Sequence, residues 1–156
     1  MKPKMNRKDL MGDDDIWNAV NMMLSEQDYQ TEDAKVYEAF IVHQYYSELE
    51  SGGHEALLNW AQDWIKDVGI EKYRNDLVSS LQKIGAHEYA AIERSHLEEL
   101  WKLHLALEDD ESVEEDYYKK IELMDGAYYG LDGKLQGLLE KYFVEIHTEL
   151  IDVVEG

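Results

Sequence analysis

Apolar side chains recur along most of the chain at the three- and four-residue spacing of amphipathic helices. The clearest stripe lies within residues 89–107 and consists of Tyr89, Ile92, His96, Leu100, Leu103 and Leu107. No window alternates between apolar and polar residues for long enough to indicate a strand. The pattern therefore predicts an all-α fold, a single-domain bundle of about six or seven helices.

Acidic caps and glycines indicate where these helices begin and end. Asp13–Asp15 supply a cap and first-turn acids for the first helix. Thr31 is the expected cap of the second helix, which should end at Gly52 and Gly53, because glycine commonly occurs where a chain leaves the helical conformation. Residues 112–115, Ser-Val-Glu-Glu, read as a capping box that opens a later helix.

The net charge is the most unusual property of the chain. Its 156 residues include 35 acidic and 15 basic ones, a formal charge of −20. Four of the bases lie within residues 1–8, so residues 9–156 carry 11 bases against 35 acids, a charge of −24. We interpret residues 1–12 as a mobile basic N-terminal arm and residues 13–156 as an acidic all-helical domain.

This charge balance excludes whole classes of partner. Direct binding of nucleic acid requires a basic face, and docking on an anionic membrane is equally disfavoured. Apolar runs are too short to span a bilayer, and the basic N-terminus lacks the apolar stretch of a secretory signal. The cytoplasm is therefore the expected location. Cysteine is absent, so the chain has no thiol nucleophile and no zinc–thiolate site.

Enzyme motifs are missing from the sequence. Neither Gly-x-Gly-x-x-Gly nor Gly-x-Ser-x-Gly occurs. Glu93 and His96 form one Glu-x-x-His, the helical element that di-iron bundles use twice. A single copy on an apolar stripe favours a hydrogen-bonded core histidine instead. We expect no catalytic residue, no metal site and no cofactor, with an enzyme or metalloprotein centred on this pair as an alternative that metal analysis would decide.

Acidic residues concentrate in two places. Seven of the nine residues 108–116 are acidic, and a second row lies within residues 140–152. Such residues also occur on the ordinary polar faces of amphipathic helices, so only their collective excess suggests a binding surface. The candidate partner-binding residues are Glu98, Glu99, Glu108, Asp109, Asp110, Glu111, Glu114, Glu115, Asp116, Glu140, Glu145, Glu149 and Asp152.

Three short motifs resemble a known family. Residues 48–53 (Glu-Leu-Glu-Ser-Gly-Gly) resemble a Glu-x-Asn-Asn-Gly-Gly turn, residues 81–86 a Leu-x-x-Ile-Gly-Ala helix end, and residues 124–129 a Leu-Asp-x-x-Phe-Tyr element. In this order they resemble the DNA-mimic-protein-like family of small acidic bacterial proteins. The chain departs from the pattern where His54 follows the double glycine in place of phenylalanine. The motif positions are Glu48, Gly52, Gly53, Gly85, Asp125, Tyr128 and Tyr129.

The resemblance implies an all-α fold and no known catalysis. For the family's namesake it implies imitation of duplex DNA, with the acidic surface covering the DNA-binding face of a transcription factor. Our leading hypothesis is therefore a non-enzymatic acidic protein that binds a basic DNA-binding protein, and the resemblance also favours a homodimer. An immunity-type protein that neutralises a basic toxin or nuclease is the alternative, and acidity that serves solubility alone is a third.

Overall fold

The computed structural model describes residues 2–155, so Met1 and Gly156, the outer ends of the predicted arm and domain, lie outside the described residues. Within that range the chain forms six α-helices, which confirms the predicted all-α bundle. The helices are α1 (Asp13–Ser25), α2 (Ala34–Val68), α3 (Ile70–Lys83), α4 (His87–Leu107), α5 (Glu114–Tyr129) and α6 (Lys134–Leu150). Two single 3-10 turns occupy Arg7–Leu10 and Glu111–Val113.

The longest helix, α2, consists of two helical segments joined at a double glycine. Gly52 has φ −162° and ψ 22°, and Gly53 has φ 72° and ψ −161°. The second of these conformations is essentially restricted to glycine, because a side chain would collide with the backbone. The prediction that a helix ends at this glycine pair is confirmed, although the next segment begins without an intervening loop.

Helix α2 occupies the centre of the bundle. It packs against α3, α5 and α6, while α3 packs on α4, α4 on α5, and α1 on α6. Its fully buried apolar side chains belong to one continuous core that draws on every helix. Between residues 2 and 155, no helix is both long enough and apolar enough to cross a membrane.

The N-cap of α1 is Gly12 rather than an aspartate, and the predicted first-turn acids Asp13–Asp15 follow it. Two further predicted caps are wrong. The helix α2 is capped by Asp33, whose carboxylate accepts hydrogen bonds from the backbone N–H groups of Lys35 and Val36, whereas Thr31 lies outside the helix. The capping box of residues 112–115 does not form, because Ser112 lies in a 3-10 turn that precedes α5. In both places several acidic or hydroxyl residues compete for one position, and local sequence does not decide among them.

The buried face of α4 is displaced from the predicted stripe. Ile92, His96 and Leu103 are only half-buried. The buried residues are Tyr89, Ala90, Glu93, Leu97, Leu100 and Trp101. The spacing of apolar residues does not reveal this buried face, because Glu93 occupies its middle.

The two chain ends meet in a short parallel pairing of β1 (Lys4–Asn6) with β2 (Asp152–Val154). Arg7 Nε also donates to Glu155 Oε1 at 2.5 Å, and Leu10 is buried against the bundle. The expectation of no strand is wrong here, since strands of three residues are too short to produce an alternating pattern. That the basic N-terminal segment is mobile in solution stays a prediction.

Candidate functional site

The first candidate site is the acidic junction, which we define as residues 108–116 between α4 and α5. All seven acidic residues of this run are exposed. Asp110 accepts a hydrogen bond from the backbone N–H of Ser112 at 2.9 Å. Hydrogen bonds from the Ser112 side chain and backbone lower the pKa of Asp110. Glu114–Asp116 form the first turn of α5, where the helix dipole favours negative charge.

Some of the candidate acidic residues are neutralised within the chain. Their ion pairs are Arg74–Glu98 (2.6 Å), Lys120–Glu99 (3.1 Å), Lys66–Glu108 (3.7 Å) and Lys119–Glu115 (3.0 Å). The pairs of Glu108 and Glu115 are exposed, and exposed pairs typically contribute less than about 1 kcal/mol to stability. In the described part of the chain, the junction residues that form no ion pair are Asp109, Asp110, Glu111, Glu114 and Asp116.

The second predicted acidic row is less continuous. Glu145 and Glu149 are exposed one turn apart on α6, whereas Glu140 is half-buried. Asp152 lies in β2, directly opposite Lys4 of β1, so a basic residue adjoins this end of the row. Partner binding by either set of acidic residues stays a prediction.

A second candidate site lies inside the protein, at the bend of α2. We call Tyr45, His54, Glu93 and Asp125 the kink cluster. His54 is fully buried, with Nε2 2.8 Å from Glu93 Oε2 and Nδ1 2.6 Å from Asp125 Oδ1. The Tyr45 hydroxyl donates to the same Glu93 oxygen at 2.7 Å. The cluster therefore joins both halves of α2 to α4 and α5.

The surroundings of His54 favour the protonated form of its imidazole ring. Burial by itself lowers the pKa of His54, but the charge of Glu93 and the hydrogen bond to Asp125 more than offset that and raise the pKa to about 9. Both ring nitrogens then donate, one to each carboxylate. Burial and the neighbouring Glu93 raise the pKa of Tyr45 well above its ordinary value, so Tyr45 acts as a neutral donor.

The double glycine allows this arrangement because it admits a carboxylate against the backbone. A Cβ atom on Gly53 would lie 2.3 Å from Asp125 Oδ2, much closer than any real contact. The backbone N–H of His54 donates to Asp125 Oδ1 at 2.9 Å. Asp125 therefore binds the bend from outside the helix, at a position that only glycine leaves open.

The other motif residues surround the same bend. Tyr128 donates from its hydroxyl to Glu50 Oε2 at 3.0 Å, and Tyr129 donates to the carbonyl of Leu49 at 2.6 Å. Two motifs that are separated by some 70 residues thus form one contact. Glu48 is half-buried, and burial raises its pKa.

The remaining motif, residues 81–86, has a different role. Gly85, with φ 86°, ends α3, and the following Ala86 is buried. This turn leads into α4, where the Tyr89 hydroxyl accepts a hydrogen bond from the backbone N–H of Leu135 at 3.0 Å. The Gly85 motif therefore sets how α3 and α4 meet the start of α6, away from the kink cluster.

The predicted alternative centred on Glu93 and His96 is divided between two environments. Glu93 is committed to His54 and Tyr45 inside the protein, whereas His96 is half-buried, with Nδ1 2.8 Å from Lys120 Nζ. Across residues 2–155, no group of three or more His, Cys, Asp or Glu side chains is placed to hold a metal ion. Sequence reasoning missed His54, for which the one available signal was a histidine directly after a double glycine.

Fold and site together define a class of protein: an acidic helical bundle whose bent central helix is fastened by a buried histidine and two carboxylates. The sequence model of the DMP19-like protein family matches residues 30–147, a range that includes the bend, His54, Glu93 and Asp125. The chain belongs to the DMP19-like protein family, which confirms the resemblance seen in the motifs. No curated protein and no solved structure matches the chain significantly.

Proposed function

We propose that this chain is a non-enzymatic acidic protein that binds the DNA-binding face of a basic protein, such as a transcriptional regulator, and thereby keeps it off DNA. The observation that carries the proposal is the acidic junction. It exposes seven carboxylates within nine residues, five of which form no ion pair within residues 2–155. Membership of the DMP19-like family, to which imitation of DNA gives its name, supports the same conclusion.

The charge density of the junction is comparable with that of duplex DNA. Duplex DNA carries one negative charge per about 1.7 Å of its axis, and the proteins that bind it carry matching arginine and lysine residues. Within the junction, Glu114–Asp116 form three consecutive positions of α5, and at about 1.5 Å of rise per residue these carboxylates approach this density. A protein surface that binds DNA through phosphate contacts would meet a similar field at the junction.

The kink cluster supplies rigidity rather than a reactive site in this proposal. It joins α2 to α4 and α5, the two helices that enclose the acidic junction. Fixing those helices in advance reduces the entropy lost on binding, which is how preorganised surfaces gain affinity. His54 is bound by both carboxylates, so the cluster supports a structural role in this proposal.

The test is capture of partners from lysate on the immobilised protein, followed by elution first with salt and then with duplex DNA. The junction variant Asp109→Asn/Glu111→Gln/Glu114→Gln is compared with Glu71→Gln/Glu122→Gln/Asp132→Asn, which removes the same charge from exposed positions elsewhere. We expect a DNA-binding protein that duplex DNA displaces from the wild type and the control, and that the junction variant retains at least tenfold less.

Three outcomes would contradict the proposal. The first is a captured protein that duplex DNA fails to displace, and the second is equal retention by the junction variant and its control. The third is capture of a toxin instead of a DNA-binding regulator, which would favour the immunity-type alternative. The predicted homodimer is a separate question, and sedimentation equilibrium of the free protein would answer it.

A further inference from the structure

A small aromatic cavity lies on α2, away from both candidate sites. Its volume is about 260 Å³, and it opens between the α1–α2 connection and the second half of α2. The residues that carry the argument are Asp28, Tyr29, Phe40, Trp60, Asp63 and Trp64. We call them the aromatic cage.

The ring of Trp60 stands at steep angles to its neighbours and so forms a wall of the cavity beside the stacked pair Tyr29 and Trp64. Trp60 and Trp64 are nearly perpendicular, with centroids 6.2 Å apart, and Phe40 lies within 6.1 Å of Trp60. Tyr29 stacks on Trp64 at 5.2 Å. Trp60 is 44% exposed, an unusual environment for so large an apolar side chain. Half-exposed tryptophan next to a cavity is typical of an anchor point for a partner.

Two carboxylates border this aromatic surface. Asp28 and Asp63 are both exposed, and within residues 2–155 neither forms an ion pair. A third carboxylate, Asp67, is occupied by the hydroxyl of Tyr29 at 3.0 Å. The cage thus combines the negative faces of aromatic rings with uncompensated negative charge, which is the chemistry that binds organic cations.

The same aromatic cluster already contacts a cation of its own through Tyr37. Lys72 Nζ lies 5.7 Å from the centroid of the Tyr37 ring and 2.7 Å from Asp76 Oδ2. Tyr37 in turn packs edge-on against Trp64, with centroids 6.0 Å apart. An ammonium group over an aromatic ring beside an aspartate is therefore an arrangement that this protein uses. The aromatic cage repeats its elements without a cation from the described residues.

We propose that the aromatic cage binds an arginine side chain of a basic protein partner, with the guanidinium against Trp60 and between Asp28 and Asp63. Arginine suits the cage better than lysine, because its planar group stacks on aromatic rings and is more weakly hydrated than an ammonium. The choice of a protein partner rests on the proposed function, in which the partner is rich in basic residues. The affinity of the cage for a guanidinium group is independent of that proposed function.

The first experiment tests the cage alone by NMR titration of the ¹⁵N-labelled protein with N-acetyl-arginine-N-methylamide. The neutral citrulline analogue, which has nearly the same shape, is the control ligand. We expect the arginine probe to shift the indole N–H signals of Trp60 and Trp64 saturably, and those of Trp17 and Trp101 to stay in place. Equal shifts with citrulline, shifts of all four indoles, or no saturable shift would overturn the proposal.

Two variants distinguish the contribution of the Trp60 ring to arginine binding from that of the Asp63 charge. Trp60→Leu removes the exposed face and should weaken arginine binding about tenfold, within the range of a partly desolvated cation–π contact. Asp63→Asn leaves every ring in place and should weaken it about threefold. Glu122→Gln, which removes one exposed carboxylate from α5, should leave it unchanged. If both cage variants bind the probe as tightly as the wild type, the site is wrong even though the protein binds arginine.

The second experiment asks whether a partner uses the cage. Trp60→Leu is applied to the same capture experiment as the junction variants, and we expect at least threefold lower retention of the DNA-displaceable protein. Unchanged retention, together with lost binding of the arginine probe, would overturn the assignment to a protein partner. Failure to capture any DNA-displaceable protein would instead contradict the proposed function, while the NMR titration still decides whether the cage binds arginine.

Discussion

Carboxylates in the kink cluster and in the acidic junction are chemically the same, yet their surroundings differ in every other respect. Glu93 is fully buried, and its oxygens are occupied by His54 and Tyr45. Asp109 and Glu111 are exposed and have no ion pair among the described residues. The first group is compensated because a buried charge without a partner is very costly, whereas water makes compensation unnecessary for the second.

This difference predicts which positions control folding and which control binding. Removing a charged member of the kink cluster should leave its buried partners incompletely compensated and destabilise the whole bundle. Removing a carboxylate from the junction should hardly change stability, because solvent already screens it. The comparison can be tested by free energies of unfolding measured with urea.

Gly53→Ala should have the largest effect, roughly 4 kcal/mol of lost stability, because it adds both backbone strain and a collision with Asp125. Gly69→Ala is the matched control, since Gly69 has a similar positive φ of 90° but no atom within 4 Å of the added Cβ. Strain alone should cost the control about 1–2 kcal/mol. Equal losses at both glycines would show that the contact with Asp125 does not define the bend.

Glu93→Gln should cost about 3 kcal/mol, because it leaves His54 without one of its two compensating charges in a buried site. The control, Glu99→Gln, removes an exposed carboxylate of α4 that pairs with Lys120 of the neighbouring helix α5, and should cost less than about 0.5 kcal/mol. If both changes cost the same, burial does not distinguish the two groups of carboxylates.

Stability should also fall by about 2 kcal/mol between pH 7 and pH 9 through His54 alone. The pKa of His54 is raised from its ordinary value of 6.5 to about 9, so the folded state holds a proton that the unfolded state has already lost. The stabilisation is complete below pH 6.5 and disappears as the pH rises through about 9. Urea unfolding of His54→Gln should show a shallower slope over this range, whereas the exposed control His87→Gln should keep the slope of the wild type.

The smallest effect is expected for the junction variant Asp109→Asn/Glu111→Gln/Glu114→Gln, within about 0.5 kcal/mol of the wild type. A slight gain is the favoured direction at low salt, because each change relieves repulsion in a chain of charge −20. Adding salt should reduce that gain. A loss of more than 1 kcal/mol would show that the junction is part of the folding core rather than a surface available for binding.

Periodicity and glycine placement were sufficient to predict the helices and the break at Gly52–Gly53, because both depend on local backbone preference. They failed at the inner face of α4, where Glu93 takes a place that the pattern assigned to Ile92 and His96. A helical wheel ranks residues by their own polarity, but the cost of burying a charge depends on which partner reaches it. Here the partner is His54, 39 positions away.

The sequence by itself determined the helical class, the excess of negative charge and the membership of a family, since each follows from residue identity or from spacing along the chain. Only the tertiary structure decided that His54, Glu93 and Asp125 meet, that part of the acidic set is neutralised by nearby lysine and arginine, and that the aromatic residues of α2 enclose a cavity. These are contacts between residues far apart in the chain, and their energies depend on burial and distance, which a linear pattern does not contain.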